Sequence, residues 1–223
     1  MSRLSDARKK SLVDATIRYR ESLPGSPAEE YLATRGLMGE SIATAVGRFR
    51  LGFVRDPVPG HEAYRGMLAI PYLRQTPSGQ WTVVSIRFRC IVEACDHRFH
   101  GKYNTVAGDR PRLYNTVPLA VSEDQIGISE GEIDAITATV SGVPTVGVAG
   151  TDAWLPHFAQ PFRGYETVWV FQDNDDDGAG HRFATSVAGV LPNAVIVTAL
   201  PGEDINSMIV KHGKAALLQK LGK

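Results

Sequence analysis

The stretch IGISEGEIDAITATVSGVPTVGVAG, residues 126–150, decides the fold. IGIS is a short apolar run, EIDAITATVSG carries apolar residues at helical spacing and stops at Gly142, and TVGVAG returns to a β-branched run. Strand, helix and strand joined by short loops make a βαβ unit. The rhythm continues downstream. TDAWLPHFA (151–159) reads as a short helix capped by Thr151 or Asp152, and TVWVFQ (167–172) as a strand. GAGHRFATSVAGVL (178–191) is a helix, AVIVTAL (194–200) a strand, and INSMIVKHG and KAALLQKL close the chain as helices. Regular alternation predicts an α/β domain over 121–223, an open parallel sheet with flanking helices whose strands are buried on both faces.

The first half reads differently. Helices are expected over Leu4–Ser22, through AEEYLATRG behind a Ser26 cap, and from Met38 to about Val46, with a short strand near Phe49–Phe53. MLAIPYL (67–73) and WTVVSIRFRCIV (81–92) are rich in β-branched and aromatic residues, and TPSGQ joins them as a hairpin would. A small sheet with helices, an α+β arrangement over 1–120, therefore precedes the parallel sheet, with a loop from about Asp96 to Pro118. This half carries 18 Lys and Arg against 11 Asp and Glu, and residues 121–223 carry 6 against 13. A basic subdomain joined to an acidic one suits a protein that holds a polyanion and metal ions.

The acidic residues of the second half fall at strand ends. Glu130 follows IGIS, Asp173 and Asp175 follow TVWVFQ with Asp177 close behind, and Glu203 and Asp204 follow AVIVTAL. Asp134 lies one helical turn beyond Glu130 and can face the same cavity. Open parallel sheets bind ligands at the carboxyl ends of their strands. Carboxylates gathered there need cations, and hard oxygen donors at a phosphate-handling edge favour Mg²⁺ or Mn²⁺, two ions being the usual number for in-line displacement at phosphorus. Asp204 can also cap INSMIVKHG. DNDDDG (173–178) matches the opening of a calcium-binding EF-hand loop, but the position for a bidentate Glu is Ala184 and a strand precedes it. An aspartyl nucleophile after a strand would not account for Glu130.

These motifs carry a resemblance. ISEGEIDAI, QDNDDDGAG and LPGEDIN resemble, in order and spacing, the Glu-Gly, D-x-D and third acidic motifs of the TOPRIM family, although the extra acids leave Asp175 and Asp177 both open as the second ligand of the D-x-D pair. YLATRGL, RFRLGF, RGMLAIPYL, VVSIRFR, GKYNT and RLYNT resemble elements of the bacterial-type primase core. The resemblance implies a DNA-directed RNA polymerase that makes short primers on single-stranded DNA from NTPs, with Glu130, Asp173 and Asp175 catalytic. It also implies that Arg35, Arg89 or Arg87, Lys102 and Asn104 bind nucleotide or template. A metal-dependent TOPRIM nuclease and a non-catalytic single-strand-binding module are the alternatives.

The residues themselves agree in kind. Arg65, Arg87, Arg89, Arg98, Lys102, Arg110 and Arg112 interleave with Phe88, Phe99, Tyr103 and Tyr114, a mixture suited to phosphate contacts and base stacking. Arg87 and Arg89 should share one face of a strand. Cys90, Cys95, His97 and His100 lie within eleven residues and could close a zinc site, but their spacing matches no common finger, and a buried free Cys90 within a strand is an ordinary alternative. His61, His157, His181 and His212 read as isolated, and Trp81, Trp154 and Trp169 as core. No cysteine precedes residue 40, so no zinc ribbon is encoded there, and no P-loop occurs. A zinc-ribbon module and a replicative helicase would then be separate partners. No run approaches the roughly 18 apolar residues of a membrane span, and MSRLSDARKK is not a secretory signal, so a cytoplasmic location is expected.

Overall fold

The computed structural model describes residues 4–75, 79–121, 124–150, 153–174 and 178–223. Two compact units divide between Arg110 and Pro111. The earlier expectation put this break near residue 120; the segment 111–120 groups with the second unit.

The first unit is built on an antiparallel sheet of order β1-β2-β3-β4: β1 (Gly52–Phe53), β2 (Leu68–Gln75), β3 (Trp81–Arg89) and β4 (Tyr103–Thr105). Helices α1 (Asp6–Glu21), α2 (Pro27–Thr34) and α3 (Glu40–Gly47) precede it. Ser5 and Ser26 cap the first two, each accepting a backbone N–H three residues on. Leu12, Ala15 and Tyr19 of α1 pack on Val83, Ile86 and Phe88 of β3 and on Met67 and Ala69 beside it. Gly52 allows the close approach: a Cβ there would stand 2.5 Å from the Tyr19 carbonyl carbon. β4 falls within the stretch expected to be a loop. Trp81, expected in the core, is 40% exposed.

Tyr19 anchors this core with a polar pair. We assign its hydroxyl as donor to His61 Nδ1 at 2.9 Å, while it accepts the Val58 N–H at 3.1 Å. Burial, then Arg8, holds the His61 pKa below its ordinary value, so the ring stays neutral and accepts. Tyr19→Phe leaves the buried His61 Nδ1 and the half-buried Val58 N–H without this partner and should cost about 1–3 kcal/mol, read by denaturant unfolding. Because the folded pKa of His61 is depressed, the unfolded chain takes up the proton first as pH falls. Stability should therefore be full above about pH 6.5 and decline below it.

The second unit carries a parallel sheet of order β6-β5-β7-β8: β5 (Gln125–Ser129), β6 (Thr145–Gly147), β7 (Thr167–Gln172) and β8 (Ala194–Thr198). Helices α4 (Pro118–Val121), α5 (Glu132–Val140), α6 (Ala179–Ala188), α7 (Ile205–His212) and α8 (Lys214–Lys220) surround it. Period-two alternation splits β7 between two cores. Val168 and Val170 join Ile126, Ile128 and Val146 under Phe183, Ala184 and Val187 of α6. Phe171 turns to the other face, against Ala138 of α5, Ile205 and Met208 of α7 and Leu217 of α8. The result is a helix–sheet–helix sandwich. β8 departs from the expectation of strands buried on both faces: it is an edge strand, and Val195 and Ile196 are 45% and 39% exposed. TDAWLPHFA does not form an α-helix; a 3₁₀ segment runs from Pro156 to Phe162, and its expected caps Thr151 and Asp152 lie outside the described residues.

Candidate active site and basic surface

From β5 the chain runs through α5 to β6 on one side, and from β7 through α6 to β8 on the other. The strand order reverses between β5 and β7; open parallel sheets bind ligands at such a reversal, which makes the carboxyl ends of these two neighbours the candidate crevice. Glu130 is the first residue after β5 and Asp173 the first after β7, and both are half-buried. The two strands are in register through Ile128 and Val170, with neighbouring strands about 4.8 Å apart in a sheet, so Glu130 and Asp173 follow adjacent strand ends, offset by one position.

The other acidic residues build the walls. Asp134 is 8% exposed, and its Oδ1 accepts the Asn206 N–H at 2.9 Å, tying α5 to the first turn of α7. Its Oδ2 would stand 2.9 Å from a Cβ on Gly131, so the glycine after Glu130 makes room for an anchored carboxylate. Asn206 also reaches Thr137 Oγ1 at 2.8 Å. Asp204 caps α7 through a reciprocal pair with Ser207, its Oδ1 accepting the Ser207 N–H at 2.6 Å. Asn174, next to Asp173, donates its N–H to the Glu203 carbonyl at 2.9 Å and accepts the Gly202 N–H at 2.8 Å, lacing the loop after β7 to the loop after β8. Burial pushes the Glu203 carboxyl up, but hydrogen bonds from Lys211 and His212 outweigh it and hold it below the usual range. His212 is therefore not isolated. Asp175 and Asp177 lie outside the described residues. Glu132, fully buried in the first turn of α5, went unnoticed in the sequence; after burial itself, its charge is the second influence raising the Tyr114 phenol well above its ordinary pKa.

The donor set at this edge is oxygen throughout, which suits a hard divalent cation such as Mg²⁺ or Mn²⁺. An open depression of about 550 Å³ lined by Asp124, Gln125, Glu166 and Lys223 lies at the opposite, amino-terminal edge of the sheet and holds none of these residues.

In the first unit Arg87 and Arg89 share one face of β3, both over the ring of Tyr103, which pairs with Arg89 from β4. Arg89 donates to the Tyr103 hydroxyl, and its guanidinium also lies 5.1 Å from the ring of Tyr31, against which Arg35 stacks at 5.3 Å. Three guanidiniums thus alternate with two tyrosine rings, and Tyr31 is the member the sequence reading missed. Arg89 is buried and acts as the spine; Arg87 and Arg35 are half-buried flanks. Lys102 is exposed beside them in sequence.

Several expected binders also have structural partners or sit elsewhere. Asn104 pairs with Phe88 on the opposite face of the ladder from Tyr103, and its amide is spent on the Gly101 N–H and carbonyl. Arg65 bonds the Arg55 carbonyl and pairs with Asp56 at 3.6 Å. Arg112 belongs to the second unit. Phe88 and Tyr114 cannot stack on bases: Phe88 is buried against Tyr64 at 4.1 Å, and Tyr114 is buried in the second unit, bridged to Gly147 at the end of β6. Of the other two interleaved aromatics, Tyr103 is half-buried between guanidiniums and Phe99 is 96% exposed. Cys90 is not within a strand, since β3 ends at Arg89, although its N–H extends the ladder to the Lys102 carbonyl at 3.0 Å. The four Cys and His side chains do converge, with one donor atom from each within 4.8 Å of the others.

No family model matches the chain. Its fold is that of bacterial DnaG primase catalytic cores. The RNA polymerase domain of Mycobacterium tuberculosis DnaG superposes with a TM-score of 0.74 at 19% identity, over 98% of this chain and 84% of that one. A DnaG primase catalytic domain bound to single-stranded DNA gives 0.65 at 19% identity, over 95% and 77%. The sequence is 48% identical over 158 residues to the Gene 57 protein of Mycobacterium phage D29, spanning 71% of this chain and 99% of that protein. The chain belongs to the family of that phage protein. Among the described residues no helix is long and apolar enough to cross a membrane.

Proposed function

We propose that this protein is a TOPRIM-type primase, a nucleotidyltransferase that joins NTPs into short RNA primers on a single-stranded DNA template. The observation that carries the reading is the pair Glu130 and Asp173 at neighbouring strand ends, at the switch point of a sheet with the primase-core fold. A 3′-hydroxyl attacks the α-phosphate of the incoming nucleotide and pyrophosphate leaves. Glu130 and Asp173, with Asp175 or Asp177 and with Asp134 and Asp204, are the residues to hold two Mg²⁺ or Mn²⁺ ions. Bound there, the ions would polarise the phosphate and neutralise the charge on the leaving group. Arg35, Arg87 and Lys102 offer cations to template or triphosphate phosphates, while buried Arg89 and Tyr103 keep them in place. A zinc-ribbon module and a replicative helicase are the separate partners such a core works with, in the cytoplasm of a phage-infected bacterium.

The test is primer synthesis on single-stranded DNA with labelled NTPs and Mg²⁺ or Mn²⁺. Short RNA products support the reading. Metal-dependent degradation of DNA without nucleotides would replace it with a nuclease, and salt-sensitive binding with no turnover would reduce the chain to a binding module. In the same system Phe99→Ala should weaken single-strand binding by about 1–3 kcal/mol, the contribution of one stacked base, and leave thermal unfolding unchanged because the ring packs on nothing.

A further inference from the structure

The loop between β3 and β4 begins at Cys90 and ends at Lys102, and its neck is closed by one backbone hydrogen bond, Cys90 N–H to Lys102 carbonyl. Residues 91–101 form no helix or strand. Ala94 and His97 hold left-handed backbone conformations, with φ of 55° and 52°, which non-glycine residues adopt at a cost of about 1 kcal/mol or more each. Val92 and Phe99 are 66% and 96% exposed, so burial of these side chains does not order the loop. Four soft or borderline donors nevertheless meet in its middle.

Their geometry is that of a ligand set. Cys95 Sγ lies 3.7 Å from His100 Nε2. Tetrahedral zinc with bonds of about 2.3 Å to sulfur and 2.0 Å to nitrogen sets that edge at about 3.6 Å. His100 Nδ1 lies 3.0 Å from the Gly101 carbonyl, so it carries the proton, and the Nε2 lone pair is left facing the sulfur. A backbone carbonyl that fixes the tautomer of a ligating histidine is the usual outer support of a zinc site. The Cys90 and Cys95 sulfurs lie within 4.8 Å of each other and of a nitrogen from each histidine, and both cysteines are free of disulfides. His97 stacks edge-on to His100 at 5.4 Å, and its Nδ1 is shielded from solvent with no hydrogen-bond partner. A buried nitrogen lone pair without a donor is costly unless something electrophilic meets it.

We propose that Cys90, Cys95, His97 and His100 bind one structural zinc ion, which staples the β3–β4 loop at its neck. Two thiolates and two imidazoles leave the ion with no net charge to bury, and four protein ligands leave no open position, as in structural sites. Cys90 follows Arg89 directly and His100 precedes Lys102 and Tyr103, so the staple also fixes the register of the two strands that carry the guanidinium–tyrosine ladder.

The protein is purified reduced without chelator, and its zinc is measured against chain concentration. One zinc per chain is expected, with loss of the metal in Cys95→Ser and in His100→Ala, both half-buried positions, while far-ultraviolet circular dichroism of the variants is retained. Co²⁺ added to reduced, metal-stripped wild type should give the visible d–d bands of a tetrahedral site and thiolate-to-metal charge transfer. Chelation should speed tryptic cleavage after Arg98 by about tenfold or more, since the loop then opens locally. Sub-stoichiometric zinc together with no tetrahedral Co²⁺ spectrum overturns the proposal. So does a ready Cys90–Cys95 disulfide in protein isolated with its metal intact.

Discussion

Asp173→Asn and Glu130→Gln are each expected to reduce primer synthesis by at least about a hundredfold without lowering the melting temperature. The magnitude follows from position. Altering a group that only orients metal ligands typically costs about 10–100-fold, so altering a ligand should cost no less. The sparing of stability follows from charge. Glu130 and Asp173 are half-buried at adjacent strand ends, with Asp134 and Glu203 buried nearby in the walls. Like charges held together raise the free energy of the folded state when no cation is present. In EDTA the amide variants should therefore melt at or above the wild-type temperature, and added Mg²⁺ should raise the melting point of the wild type more than theirs. Asp134→Asn separates support from ligation. The amide oxygen can still accept the Asn206 N–H, so α7 stays docked, and the loss of activity should fall between wild type and the two strand-end variants. A melting temperature that drops in Asp173→Asn would mean that the carboxylate holds the fold together, and the metal-site reading would go with it.

What the sequence made legible depended on the range of the interaction. Strand ends are set locally, by where β-branched runs such as TVWVFQ give way to polar residues, so the placement of Glu130 and Asp173 follows from short windows of sequence. The roles of Asp134 and Asn206 do not. They meet across 72 residues, and only docking of α7 on α5 makes the aspartate a cap for another helix. Tyr31 was missed for the same reason: nothing in YLATRGL says that its ring will lie between guanidiniums from β3 and its own helix. The aromatics show the limit from the other side. Phe88 and Tyr103 both stand among basic residues, but β-strand alternation sends Phe88 into the core under α1 and pairs Tyr103 with Arg89 on the opposite face. Until the pairing β3·β4 is known, composition cannot tell them apart. β4 itself was hidden because three polar residues, Tyr-Asn-Thr, have no hydrophobic period and are recruited by their neighbour.

Gly180→Ala is expected to damage the active edge from behind, because the first turn of α6 lies directly on the backbone of Asp173. An alanine Cβ at position 180 would stand 2.3 Å from the Asp173 carbonyl oxygen, 2.9 Å from its nitrogen and 3.0 Å from its carbonyl carbon. These are backbone atoms, held by β7 on one side and by Asn174 lacing to the loop after β8 on the other, so no rotamer change relieves the clash. Either α6 moves away, uncovering Phe183 and Val187 from the sheet, or Asp173 shifts relative to Glu130. The first route costs stability, about 1–3 kcal/mol for forced overpacking, and the second costs activity, since a misplacement of about 1 Å at a reacting centre can cost a hundredfold. Helix propensity acts in the opposite direction, favouring alanine over glycine by about 1 kcal/mol, so any net loss understates the clash. Gly164→Ala is the control: nothing lies within 4 Å of a Cβ there and its φ is not in the left-handed region, so it should be neutral or slightly stabilising. Denaturant unfolding and primer synthesis measured on both variants distinguish the outcomes. Gly180→Ala with wild-type stability and wild-type activity would mean that α6 does not rest on Asp173, and that the position of this carboxylate is set by β7 alone.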